Sequence, residues 1–149
     1  MAHYTEADAA RERLIADALG RAWSCDLVAA PEFSRFDFTA ERDGEPVGVV
    51  EIKSRLNRGP HDHGGLLLLN DDKREALLAA GRGGPAIFAW AFPAVVHWLD
   101  VRELPASARL DHRGRPDFRD ARGSRPAWRI PVAETTRVLL STLTDWEPV

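Results

Sequence analysis

The sequence predicts a mixed α/β (α+β) fold in which one helix precedes three strands and a second helix precedes two more. Three observations predict it. Ala7, Ala10, Leu14, Ala18 and Ala22 recur at helical spacing. Two strand-like runs flank Asp43-Gly44, a strong hairpin signal. A second helical stretch is followed by two apolar runs separated by Pro93-Ala94.

The first helix is expected from about Glu6 to Ala22, with Thr5 as its cap and Glu6 and Asp8 where the helix dipole favours anions. Ser24 to Ala29 is a short strand ended by Pro31. Arg35 to Glu41 alternates, with Phe36, Phe38 and Ala40 on one side and Arg35, Asp37, Thr39 and Glu41 on the other. Glu45 to Ser54 is the return strand, apolar enough at Val47, Val49, Val50 and Ile52 to be buried on both faces. Arg55 to Gly65 is a loop. Asn70 or Asp71 caps a helix ending near Gly81, with Ala76, Leu77 and Ala80 inward. Asp71 and Asp72 read as cap residues, and Gly81-Arg82-Gly83-Gly84 as a helix end and turn. Ala86 to Phe92 and Val95 to Val101 are strands, with Trp90 and Trp98 as core residues. Residues 105–127 form a long loop or flap, followed by a short strand at Trp128 to Pro131 and a helix from about Ala133 to Leu143.

A chain of 149 residues with 44% hydrophobic content suits a single domain, 1–149, with its core over about 5–101 and an appendage over about 102–149. No apolar run approaches the roughly 18 residues that cross a bilayer. The start lacks the pattern of a signal peptide, so a cytoplasmic protein is expected. The lone Cys25 can make no internal disulfide and reads as a small buried residue. Net charge is −3, but unevenly spread. Residues 1–52 hold 5 Arg against 11 Asp+Glu, whereas 109–129 hold 7 Arg against 3 Asp. An acidic half with a basic tail suits a metal site beside a phosphate-contacting surface, and equally a solvated loop.

The chemistry concentrates at Asp37 and, one hairpin later, Glu51-Ile52-Lys53. Two carboxylates on neighbouring strands can share a hard divalent cation, with the Ile52 carbonyl and waters completing an octahedron. Lys53 lies on the face of Glu51, about 6.6 Å along the strand. It can orient or deprotonate an attacking water, which arginine could not do. The chain has 18 Arg and only two Lys, Lys53 and Lys73, so a lysine here marks a chemical requirement. Everything depends on the turn. A strict two-residue loop pairs Arg42 with Glu45 and turns Glu51 to the opposite face from Asp37. A three-residue loop with left-handed Gly44 pairs Glu41 with Glu45 and brings both acids to one face. The longer loop is expected; any register whose partner numbers sum to an even value does the same.

This arrangement resembles the PD-(D/E)xK nuclease superfamily, over roughly residues 5–101, with Phe36 in place of the motif's proline. The resemblance implies a restriction-endonuclease-like core, α-β-β-β-α-β, with a mixed sheet flanked by helices. To that core this chain adds the C-terminal Arg-rich loop and helix. It implies that Asp37, Glu51 and Lys53 match the motif, that Glu6 (or Glu12) supplies a further acid, and that Lys73 corresponds to a Lys or Gln seen after the third strand. It also implies Mg2+, with Mn2+ as a substitute, DNA as the partner, and endo- or exodeoxyribonuclease activity. The small size is phage-type or resolvase-like, and a homodimer is within the superfamily's habits.

Arg55, Arg58 and Arg74 flank the site as candidate phosphate contacts. His61-x-His63 reads as loop, with DNA-backbone contact as its functional version. Two alternatives stay open: an inactive nuclease-fold protein that binds nucleic acid or aids assembly, and a small interaction domain, which an odd hairpin register would favour.

Overall fold

The computed structural model describes residues 5–55, 57, 59–62, 64–113 and 125–140. Helix α1 spans Glu6–Trp23. Thr5 caps it through its side chain, and Asp8 returns the bond to the Thr5 amide, a reciprocal cap of the kind that contributes about 1 kcal/mol. Strands β1 (Asp26–Ala29), β2 (Phe38–Arg42), β3 (Glu45–Ser54) and β4 (Leu66–Asn70) follow, then α2 (Asp71–Gly81). The chain continues through β5 (Ala86–Ala91), β6 (Val95–Asp100), β7 (Arg109–Arg113), β8 (Arg125–Pro131), a 3-10 turn at Val132–Glu134, and β9 (Thr136–Leu139).

Six strands form a mixed sheet in the order β1-β2-β3-β5-β6-β9. Only β3 and β5 run parallel, because the chain between them crosses over through β4 and α2. Strand alternation divides the core in two. Val50 and Ile52 face α1, where Ile15, Ala16 and Leu19 are fully buried. Val49, Phe88 and Trp90 face the other way, against Leu77 of α2 and a second sheet, β4-β8-β7. Trp90 donates its indole N–H to Leu68 O at 3.0 Å and is a core residue, while Trp98, partly buried, packs against the core and edge-on against Trp23 at 5.1 Å. No helix among the described residues is long and apolar enough to cross a membrane.

The sequence assigns residues 66–69 to no element, and three expectations need correction. The segment Leu66–Asn70 is a strand whose partner, β8, lies some sixty residues later. Within the expected flap, Arg109–Arg113 is β7. The expected helix from Ala133 is instead a 3-10 turn and a strand, because Thr136, Arg137 and Val138 find backbone partners on β6; Ser141 to Leu143 lie outside the described residues. The segment after residue 101 thereby supplies an edge of the main sheet. Asn70 occupies the cap position of α2 but makes no side-chain cap bond, and Asp71 accepts the Trp128 indole N–H at 2.9 Å instead.

Candidate active site

The hairpin turn differs from the expected one, yet it reaches the expected result. Asp43 and Gly44 both adopt left-handed backbone, at φ 55° and 79°, and form a two-residue loop that pairs Arg42 with Glu45. Asp tolerates this conformation and Gly adopts it freely, so the tight turn is available. On its own it would set Asp37 and Glu51 on opposite faces. A β-bulge corrects this. Glu41 pairs with Pro46 and Ala40 with Gly48, leaving Val47 as the extra residue. From there the register runs through Thr39 with Val49 to Phe38 with Val50. Asp37 follows just outside the last pair, with its amide on Val50 O and its carboxylate on the Ile52 amide, beside Glu51. Pro46 is the local signal for the bulge: proline lacks an amide donor and inside sheets is confined to edges and irregularities.

Asp37 is held firmly. Its N–H donates to Val50 O at 2.9 Å, and its carbonyl accepts from Ala30 N–H at 2.9 Å. Its Oδ2 accepts the Ile52 amide at 2.8 Å. The Ile52 side chain is buried in the α1-side core, as expected. Glu51 lies beside Asp37 on the α2 side of the sheet, and the Lys73 ammonium stands 3.5 Å from its Oε2. Lys73 also donates to Arg35 O at 3.2 Å, so it joins α2 to the chain just before Asp37. Lys53 is exposed at the end of β3, and its charge acts on both carboxylates.

The electrostatics follow from this crowding. Burial raises the Asp37 carboxyl above its ordinary value, opposed by the Ile52 amide, Lys73 and Lys53. Glu51 is pushed up to about 7, first by burial and then by the Asp37 charge, with Lys73 and Lys53 pulling the other way. Two desolvated carboxylates side by side attract a cation. Among the described residues no group of three or more His, Cys, Asp or Glu gathers as a metal site. The donor set is thus two carboxylates with main chain and water, which fits a hard, well-hydrated ion such as Mg2+.

The remaining candidates separate. Glu6 is exposed in the first turn of α1, whereas Glu12 is half-buried, one turn before the fully buried Ile15 and Ala16. Arg55 closes β3, with its amide bonded to Ala91 O at 2.7 Å and Nη1 to Ser54 O at 3.1 Å. Arg74 is engaged inside the fold: its Nε donates to Val101 O at 2.8 Å and its guanidinium lies over the Trp128 ring. It thereby also ties α2 to β8 and to the end of β6. Arg58 and His63 lie outside the described residues. The Gly81–Gly84 stretch is the expected helix end, with Arg82 left-handed at φ 50°.

Comparison with known proteins places the chain in a family. A family described as "Phage putative PDDEXK endonuclease" matches residues 2–138. The chain belongs to the phage PDDEXK endonuclease family. Along the chain a helix, three strands, a further helix and a strand follow in that order, with β4 before α2. Among solved structures, the chain is similar to Archaeoglobus fulgidus Hjc, a Holliday junction resolvase from an archaeal hyperthermophile. The two share 18% identity over 80% of this chain and 82% of that one, with a TM-score of 0.45. No curated protein matches the chain.

Proposed function

We propose that this PDDEXK family member is a magnesium-dependent endonuclease that hydrolyses DNA phosphodiester bonds by direct attack of water, acting in the cytoplasm. The observation that carries the reading is the desolvated Asp37–Glu51 pair at the ends of β2 and β3, flanked by the chain's only two lysines. Asp37 and Glu51, with the Ile52 carbonyl, would hold the ion. When bound, it would supply Lewis acidity and lower the pKa of the attacking water. Lys53 orients that water and offsets charge on the phosphate, or as a neutral amine takes the water's proton. The oxygen–phosphorus bond to water forms as the bond to the leaving nucleotide oxygen breaks. Lys73 holds Glu51 in place and tempers its proton affinity. Glu12, half-buried where Glu6 is exposed, is the better candidate for the further acid. Arg55 is the candidate phosphate contact next to Lys53.

The even register at the carboxylates disfavours the reading as a mere interaction domain. The test compares wild type, Asp37→Ala and Lys53→Ala on plasmid, linear, single-stranded and branched DNA with Mg2+, Mn2+ or EDTA. Metal-dependent cleavage lost in both variants supports the proposal. Equal activity in all three sinks the site assignment, and binding without cleavage in every condition favours an inactive, DNA-binding role.

A further inference from the structure

A cleft of about 770 Å³ lies between α2 and the β2–β3 hairpin. Its floor continues the carboxylate face of the sheet. Thr39 is two residues from Asp37 on β2, and Val49 is two residues from Glu51 on β3, so each pair shares a face. Its wall continues the face of Lys73, since Ala76 and Ala80 follow at helical spacing. The cleft therefore adjoins the carboxylate site through Arg35, whose carbonyl accepts from Lys73.

Arg35 and Arg82 both line this cleft. Among the described residues, neither guanidinium has a protein acceptor. Other arginines do: Arg13 binds Asp17, Arg42 binds the Trp23 and Ser24 carbonyls, Arg102 binds Asp100, and Arg129 binds Asp111. A second polar cavity, near the α1–β1 turn, is lined by two of these already paired groups, Arg13 and Arg42. Arg35 and Arg82 are thus two cations without a protein acceptor that share a cleft adjoining the catalytic face. Between them lies a largely apolar surface that includes Phe36, Val47 and Val49.

We infer that this cleft is the path of one unpaired DNA strand leading to or from the scissile phosphate. Arg35 and Arg82 hold backbone phosphates, while sugars and bases lie on the apolar floor. Cationic grooves with apolar platforms are what single strands bind. The narrow apolar strip between the two arginines suits unstacked bases better than the paired, phosphate-lined surface of a duplex. The inference rests on the nuclease reading and deepens it. It assigns a substrate with a single-stranded segment next to the cut.

The test is binding in EDTA, followed by fluorescence anisotropy of labelled oligo(dT) and of a blunt duplex. The proteins are wild type, Arg35→Gln/Arg82→Gln, Arg35→Lys/Arg82→Lys, and the control Arg109→Gln, whose guanidinium bonds main-chain carbonyls outside the cleft. Thermal melting confirms folding of each. The Gln pair should weaken oligo(dT) binding at least tenfold and reduce the salt slope by about 1.4, or about 0.7 per contact. The Lys pair should retain most of the affinity, and duplex binding should change much less. Unchanged oligo(dT) binding in the Gln pair, an equal loss on the duplex, or an equal loss in Arg109→Gln would overturn the inference. Because binding is read without metal, the two failures separate. Wild type that cleaves DNA while the Gln pair binds normally sinks the strand path alone. Wild type that binds through both arginines yet cleaves nothing sinks the nuclease reading alone.

Discussion

Asp37 Oδ2 accepts the backbone amide of Ile52 at 2.8 Å, so the first acid of the site is oriented by the strand that carries the second. One oxygen is committed to this bond and the other is left for chemistry. Asp37→Asn can keep the amide bond through its carbonyl oxygen while losing the charge. It should fold with little change in melting temperature, yet lose activity by about 100-fold or more. Circular dichroism and plasmid nicking measure the two separately.

Glu51 predicts how stability varies with pH. Its folded carboxyl titrates near 7 against an ordinary 4.5. Between those values the folded chain keeps a proton that the unfolded chain releases. Stability from this group therefore falls as pH rises from about 4.5 to 7, and the full penalty applies above 7. Part of the carboxyl meets solvent, which trims the effect to on the order of 2 kcal/mol. Glu51→Gln should match wild type near pH 4 and melt about 5 °C higher at pH 8. Mg2+ should raise the melting temperature of wild type above pH 7 and leave the variant nearly unmoved.

Lys73→Met removes the ammonium 3.5 Å from Glu51. Lys73 lowers the proton affinity of Glu51, so its loss should move the acid limb of the pH–activity profile upward by at least half a unit. Lys73→Arg keeps the charge and should restore most of the profile. A drop in activity with no movement of the limb would count against this role.

Gly48 permits the parallel pairing of β3 and β5. A Cβ there would sit 2.8 Å from the Pro85 carbonyl oxygen, which already accepts the Val49 amide at 3.0 Å. Gly48→Ala should destabilise the fold by about 1–3 kcal/mol in urea titration, with activity lost only as folding is lost.

The elements with local signals were legible. The spacing of Ala7 through Ala22 marked α1 to within a residue, and the Asp43-Gly44 turn marked both strands of the hairpin. What escaped was nonlocal. Four successive leucines, 66–69, say little until β8 arrives to pair with them. Val132 to Leu140 fits a helix or a strand, and β6 decides. The contacts of Arg74 with Val101 and Trp128, distant in sequence, were equally invisible. At the site, Asp37, Glu51, Lys53 and Lys73 were named from pattern and family resemblance, and the structure brings them together. The groove-lining Arg35 and Arg82 were missed, because sequence does not show which arginines lack partners inside the fold.

The bulge at Val47 has a consequence for how this protein can change over time. Side chains alternate with period two, so losing that one residue would exchange the roles of neighbours along β3: Glu51 and Lys53 would turn to the α1 side, and Ile52 to the α2 side. The hairpin can lengthen or shorten only by steps that preserve parity. A second single-residue deletion or insertion between Asp37 and Glu51 could rescue a first, even where neither is tolerated alone.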